Sequence, residues 1–135
     1  MGEVTGMELK ITIPGRPITK KNGSVISYNR KTKKLFVRPS DQFLKYQEVA
    51  GWRLKGKGKK LSGRYNLKCV YYMNTRQMVD LCNLLAATCD ILVHYGVLTD
   101  DNSDIVVSHD GSRVLYDKDN PRAEITITEL EGTKC

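Results

Sequence analysis

No apolar run in these 135 residues approaches the ~18–20 positions that a membrane span requires. No Cys-x-x-Cys or Cys/His spacing marks a zinc site. Cys69, Cys82 and Cys89 lie inside apolar segments, where buried, reduced thiols are expected. Met1–Met7 contains Glu3 and lacks an apolar core, so no secretory signal is expected and the location follows as cytoplasmic. Repeats are absent, and nothing marks a second domain, so residues 1–135 read as one domain. Acid is scarce in one half: residues 15–64 carry 15 Lys/Arg against Asp41 and Glu48 alone, a balance of +13.

The rest of the chain reverses that sign. Residues 65–135 hold six Lys/Arg and 11 acids, a balance of −5 within a net charge of +7. A basic half of this strength suits a polyanion, because each neutralised phosphate releases counterions; the plainer alternative is a solubilising surface.

Periodicity divides the chain into elements. Glu8–Ile13 alternates with period two and stops at Pro14. Val25–Tyr28 and Leu35–Val37 flank a very basic tip and predict a hairpin. Ser40 is positioned to cap a helix carrying Phe43, Tyr46, Ala50 and Leu54 at helical spacing. Tyr65–Met73 predicts the strongest strand, and Asp80–Tyr95 a helix closed by Gly96. Strands are expected at Asp104–Ser108, Arg113–Tyr116 and Ala123–Glu129, with Asp110-Gly111 as the turn joining the first two. The order implies an α+β fold, with two main helices packed on a mixed β-sheet.

The acids gather around the second helix. Asp80, Asn83, Ala87, Asp90 and His94 form a polar seam on a helix otherwise apolar nearly all round, which predicts burial or a subunit interface. Asp100 and Asp101 follow just past its end. Carboxylates at these places are the oxygen donors a hard divalent cation requires. Each has a structural alternative: Asp80 as a helix cap, Asp90 in an ion pair, Asp100-Asp101-Asn102 as an ordinary turn, His94 as a dipole-compensating group.

Asp80-Leu81-Cys82-Asn83-Leu84, Asp90-Ile91-Leu92, Gly96 and Leu98-Thr99-Asp100-Asp101 together resemble the RusA family of Holliday junction resolvases, small homodimeric enzymes of phage and prophage origin. Ile13–Asn22 resembles the basic, proline-bounded opening of its phage members, and Glu124–Glu129 its final strand. The resemblance implies a RusA-like α+β fold, a homodimer, and Mg²⁺-dependent cutting of four-way DNA in recombination and repair, with Mn²⁺ able to substitute. It assigns catalytic and metal roles to Asp80 and Asp101, with Asp100 and Asp90 as further ligands and Asn83 and Cys82 as support. Two positions depart from the pattern: Cys82 stands for the family's second aspartate and Ala86 for its lysine. Lys20 or Lys21 is the expected replacement for that cation. A catalytically weakened protein that binds branched DNA without cutting is the alternative. DNA contacts are expected from Arg16, Lys31, Lys33, Lys34, Arg38, Lys57, Lys59, Lys60 and Arg76; the flank Cys82, Ala86, Cys89 and Val93 suits either a helix contact across the dimer or packing on the chain's own sheet.

Overall fold

The computed structural model describes residues 4–19, 24–56, 60–61 and 63–130. Along the chain come β1 (Val4–Pro14), β2 (Ser24–Asn29), β3 (Lys34–Pro39), α1 (Asp41–Leu54), β4 (Tyr65–Met73), α2 (Leu81–His94), β5 (Val106–Ser108), β6 (Arg113–Tyr116) and β7 (Arg122–Leu130). The result is an α+β fold, a mixed sheet with two helices, as expected.

The main sheet runs β1-β7-β4, with β5 and β6 both on the far side of β4. Period-two alternation sets its register. Ile11 faces Ile125, which faces Cys69; Ile13 faces Ala123, which faces Tyr71; Leu9 faces Ile127, which faces Leu67. Those rows form the inner face, and all of their residues are buried except half-buried Leu9. Phe43, Tyr46, Ala50 and Leu54 of α1 and Leu84, Ile91 and Leu92 of α2 complete one core cluster with them. Each such aliphatic side chain contributes about 1.5–3 kcal/mol on burial.

Caps and one buried polar contact fix the helices. The Ser40 hydroxyl accepts the Phe43 N–H at 3.1 Å, as expected of an N-cap. Gly96 follows α2 at φ +74°, a conformation that glycine adopts without strain. The Tyr71 hydroxyl donates to the Leu84 carbonyl at 3.0 Å and lies 2.6 Å from the Thr88 hydroxyl, tying α2 to β4 deep in the core.

Two expectations for the C-terminal strands are corrected. The strand expected at Asp104–Ser108 begins only at Val106, because 104 and 105 belong to a turn. Asp110-Gly111 joins no hairpin: β5 and β6 each lie parallel to β4, one after the other. The 109–112 loop interrupts what would be one strand, and side chains serve the β4 backbone there. Ser112 Oγ accepts the Cys69 N–H at 2.9 Å, and His109 Nδ1 lies 2.9 Å from the Leu67 carbonyl. Asn66 grips the loop from the other side through the backbone N–H and C=O of Asp110.

The β2–β3 hairpin forms as expected, but as a separate two-stranded sheet. Of the three thiols expected to be buried, Cys69 and Cys89 are buried and Cys82 is exposed.

Candidate functional site

Asp80 ends the connector from β4 and caps α2 in an extended conformation, φ −88° and ψ 111°. Its Oδ1 accepts the N–H groups of Cys82 at 2.9 Å and Asn83 at 3.3 Å. Its Oδ2 has no protein partner among the described residues. The capping role is therefore real, and it leaves one carboxylate oxygen open. Because Asp80 precedes the first helical residue, the 100° step of the helix does not set its direction.

The solvent-facing stripe of α2 differs from the expected seam. Cys82, Ala86, Asp90 and His94, spaced by four, are exposed, whereas Asn83 is half-buried and Ala87 buried. The helix meets β4 at the Leu84 carbonyl and the Thr88 hydroxyl, and Ala87 is buried on that same side. No charge on α2 is buried, and the flank expected to make a helix contact is split: Cys89 is buried and Val93 half-buried. The two positions that depart from the RusA pattern thus share the open face with Asp90.

After Gly96 the chain turns back along α2. The Val97 and Leu98 N–H groups both reach the Leu92 carbonyl, at 2.9 and 3.3 Å, and Leu98 pairs with Leu61. Asp100 and Asp101 follow, both exposed. Burial, with the charges of Asp101 and then Asp90 beside it, pushes the Cys89 thiol up to about 11. Asp100 is engaged in its own turn: Oδ1 accepts the Asp101 N–H at 2.7 Å and Oδ2 the Asn102 amide at 3.2 Å. These bonds hold its carboxyl below the usual carboxylate range.

Asp80 and Asp90 stand ten residues apart on one helix, about 15 Å along its axis, too far to share one ion. Among the described residues no three His, Cys, Asp or Glu side chains gather to hold a metal. A cage of three or more protein ligands does not fit these side chains. A hard cation that keeps most of its water needs only one or two carboxylates, and Asp80, with its open oxygen, and the exposed Asp101 are donors of that kind.

The expected cations are spread over several elements. Lys60, at φ 48°, donates its N–H to the Gly96 carbonyl at 2.8 Å, which ties it to the segment leading to Asp100 and Asp101. Arg76, in the connector before Asp80, lies 4.1 Å over the Tyr116 ring. Arg16 donates to the Asn74 side chain at 3.4 Å. Arg38 donates to Ser27 at 2.7 Å and lies 3.4 Å from Asp41, so its head is partly engaged. Lys31, Lys33 and Lys34 are exposed at the hairpin tip. Lys20, Lys21, Lys57 and Lys59 lie outside the described residues.

Sequence reasoning missed Gln42 and Lys45. With Arg16 and Ile18 they line a cleft of about 500 Å³ that reaches Val79 and Leu84, the residues around Asp80. Their only sequence signal was the three- and four-residue spacing of Gln42, Lys45 and Val49 along α1. No described helix is long and apolar enough to cross a membrane. The family model Endodeoxyribonuclease RusA matches residues 14–128, whereas no curated protein matches the chain.

Proposed function

The chain belongs to the RusA family of endodeoxyribonucleases, and on that footing we propose that it resolves four-way DNA junctions by cation-assisted phosphodiester hydrolysis. What supports this reading is a pair of exposed carboxylates: Asp80, capping the start of α2 with a free oxygen, and Asp101, on the segment that turns back after Gly96 and is tied to Lys60. Asp80 and Asp101 are the residues that would hold Mg²⁺ or Mn²⁺. When bound, such an ion polarises a phosphoryl oxygen and lowers the pKa of a coordinated water. The protein's own part is to orient those carboxylates: the Cys82 and Asn83 N–H groups fix the Asp80 carboxylate, and the Leu92 carbonyl anchors the segment that carries Asp101.

Cations on the hairpin tip, at Lys60 and Arg76, and in the 57–60 region hold the phosphodiester backbone without reading sequence. Selectivity for a four-way junction then comes from a two-fold dimer, which presents one site to each of two opposed strands. The test is nicking of a synthetic four-way junction in Mg²⁺. Wild-type protein should cut symmetrically, and Asp80→Asn or Asp101→Asn should lose cutting by about 10²-fold or more while still binding. Undiminished nicking by either variant would place the chemistry elsewhere.

One observation favours a weakened relative that binds without cutting. Cys82 and Ala86 face solvent on the stripe where the family pattern has an aspartate and a lysine. On this reading wild type binds the junction without nicking it and Cys82→Asp, restoring a hard oxygen donor, gains nicking; cutting by wild type removes that alternative.

A further inference from the structure

The β2–β3 hairpin shows four large apolar side chains to solvent. Ile26, Tyr28 and Leu35 are 73%, 56% and 71% exposed. Tyr28 and Leu35 are direct cross-strand partners, and Ile26 lies two residues from Tyr28, so the three share one face of the ribbon. Phe36, on the other face opposite Ser27, is 43% exposed. Among the described residues the strands pair only with each other. A two-stranded ribbon is marginal on its own, and an apolar strip of this kind marks an interaction site.

The tip just beyond that strip is well built. Asn29 Oδ1 accepts the N–H groups of Lys31 at 2.9 Å and Thr32 at 3.2 Å, and the Lys33 N–H reaches the Asn29 carbonyl at 2.8 Å. Arg30, Lys31, Lys33 and Lys34 are exposed there and form no ion pair among the described residues. Residues 24–40 contain Arg30, Lys31, Lys33, Lys34 and Arg38 and no acid. A second copy seated on this face would bring five like charges against five. A polyanion with exposed apolar surfaces would meet both the cations and the strip.

We propose that the hairpin is a wedge for the branch point of DNA: the tip cations straddle phosphates while Tyr28, Leu35 and Ile26 cover bases unstacked where the arms diverge. This rests on the reading of the substrate as branched DNA and says how that substrate is opened. Apolar side chains inserted between base steps unstack them, and an aromatic ring supplies a stacking partner for a freed base. The Tyr28–Leu35 pair lies one residue behind the tip on each strand, about 3.3 Å along the ribbon, so one approach delivers both kinds of contact.

The experiment uses a four-way junction with 2-aminopurine at the branch point, whose emission rises on unstacking. Wild-type protein should raise the emission. The triple variant Ile26→Thr/Tyr28→Thr/Leu35→Thr keeps β-branched residues that a strand favours. It should abolish the rise and slow nicking about tenfold, with affinity for linear duplex and its salt dependence unchanged because the tip remains. The single variant Tyr28→Thr, which leaves Ile26 and Leu35 on the ribbon, should lose at least half the rise. Full emission with either variant, or none with junction-bound wild type, overturns the wedge and leaves the nuclease reading intact. Dissociation of a wild-type dimer into monomers on the triple substitution also overturns it, because the strip then joins two copies. Failure of wild type to bind any four-way junction removes the nuclease reading together with the wedge.

Discussion

Cys82 and Cys89 lie seven positions apart on one helix in opposite surroundings. Cys82 is exposed beside the Asp80 cap; Cys89 is buried, with Asp101 and Asp90 adding repulsion that pushes its thiol up to about 11. Burial pushes Cys69, between the sheet and the helices, up to about 12. In a Cys135→Ser chain, iodoacetamide at pH 8 should therefore modify Cys82 within minutes and spare the other two, as mass mapping would show. Equal labelling of Cys89 would mean that the return segment does not cover it. The raised thiols also set a sign for stability. The native chain keeps protons that the unfolded chain releases, so stability is whole below pH 9 and falls as the pH climbs toward about 11–12. Thermal melts between pH 8 and 11 should show that fall, and Cys89→Ala should flatten part of it; identical slopes would refute the assignment.

At the scale of elements, α1 and α2 meet at Gly51. A Cβ there would stand 2.5 Å from the Tyr95 ring, whose hydroxyl donates to the Gln47 carbonyl at 3.1 Å. Alanine favours a helix interior by about 1 kcal/mol over glycine, but overpacking costs about 1–3 kcal/mol. Gly51→Ala should thus lower the urea midpoint in the wild-type chain and raise it in a Tyr95→Leu background; a gain in both would show the packing to be slack. Gly51 was invisible to pattern reading, because its reason lies 44 positions away. The elements themselves were largely legible: the period-two rows of β1, β4 and β7, the Ser40 cap and the Gly96 stop all appear where local chemistry demands them. What local chemistry could not reveal was partnership. Asp110-Gly111 has the composition of a hairpin turn, yet the flanking strands prefer β4, because its edge offers a longer apolar partner than either has in the other. The candidate site divided similarly. The Asp80 cap and the exposed Asp100-Asp101 pair were readable; the direction of α2's open face was not, since it depends on long-range packing of Leu84, Ile91 and Leu92 and on the Tyr71–Thr88 contact.

For the whole molecule, the division of charge is the dominant long-range feature, with +13 in residues 15–64 against −5 in residues 65–135. The hairpin tip and Lys60 bring cations from the first half, and α2 with its return segment presents the acids from the second. Replacing Lys31, Lys33 and Lys34 together by alanine should weaken duplex binding and reduce the slope of log K against log salt by about 0.9 for each phosphate that is no longer neutralised. An unchanged slope would put the nucleic acid on another face.

The broken strand beside β4 has a consequence for how such a chain survives at high concentration. A long, straight, uncovered margin is an invitation for a neighbour to add its own backbone and grow a fibre. Here that margin consists of three residues, a loop held down by Asn66 and Ser112, and four more residues. Neither piece offers a docking molecule many consecutive free amides, so the interruption guards this one edge of the sheet against strand addition.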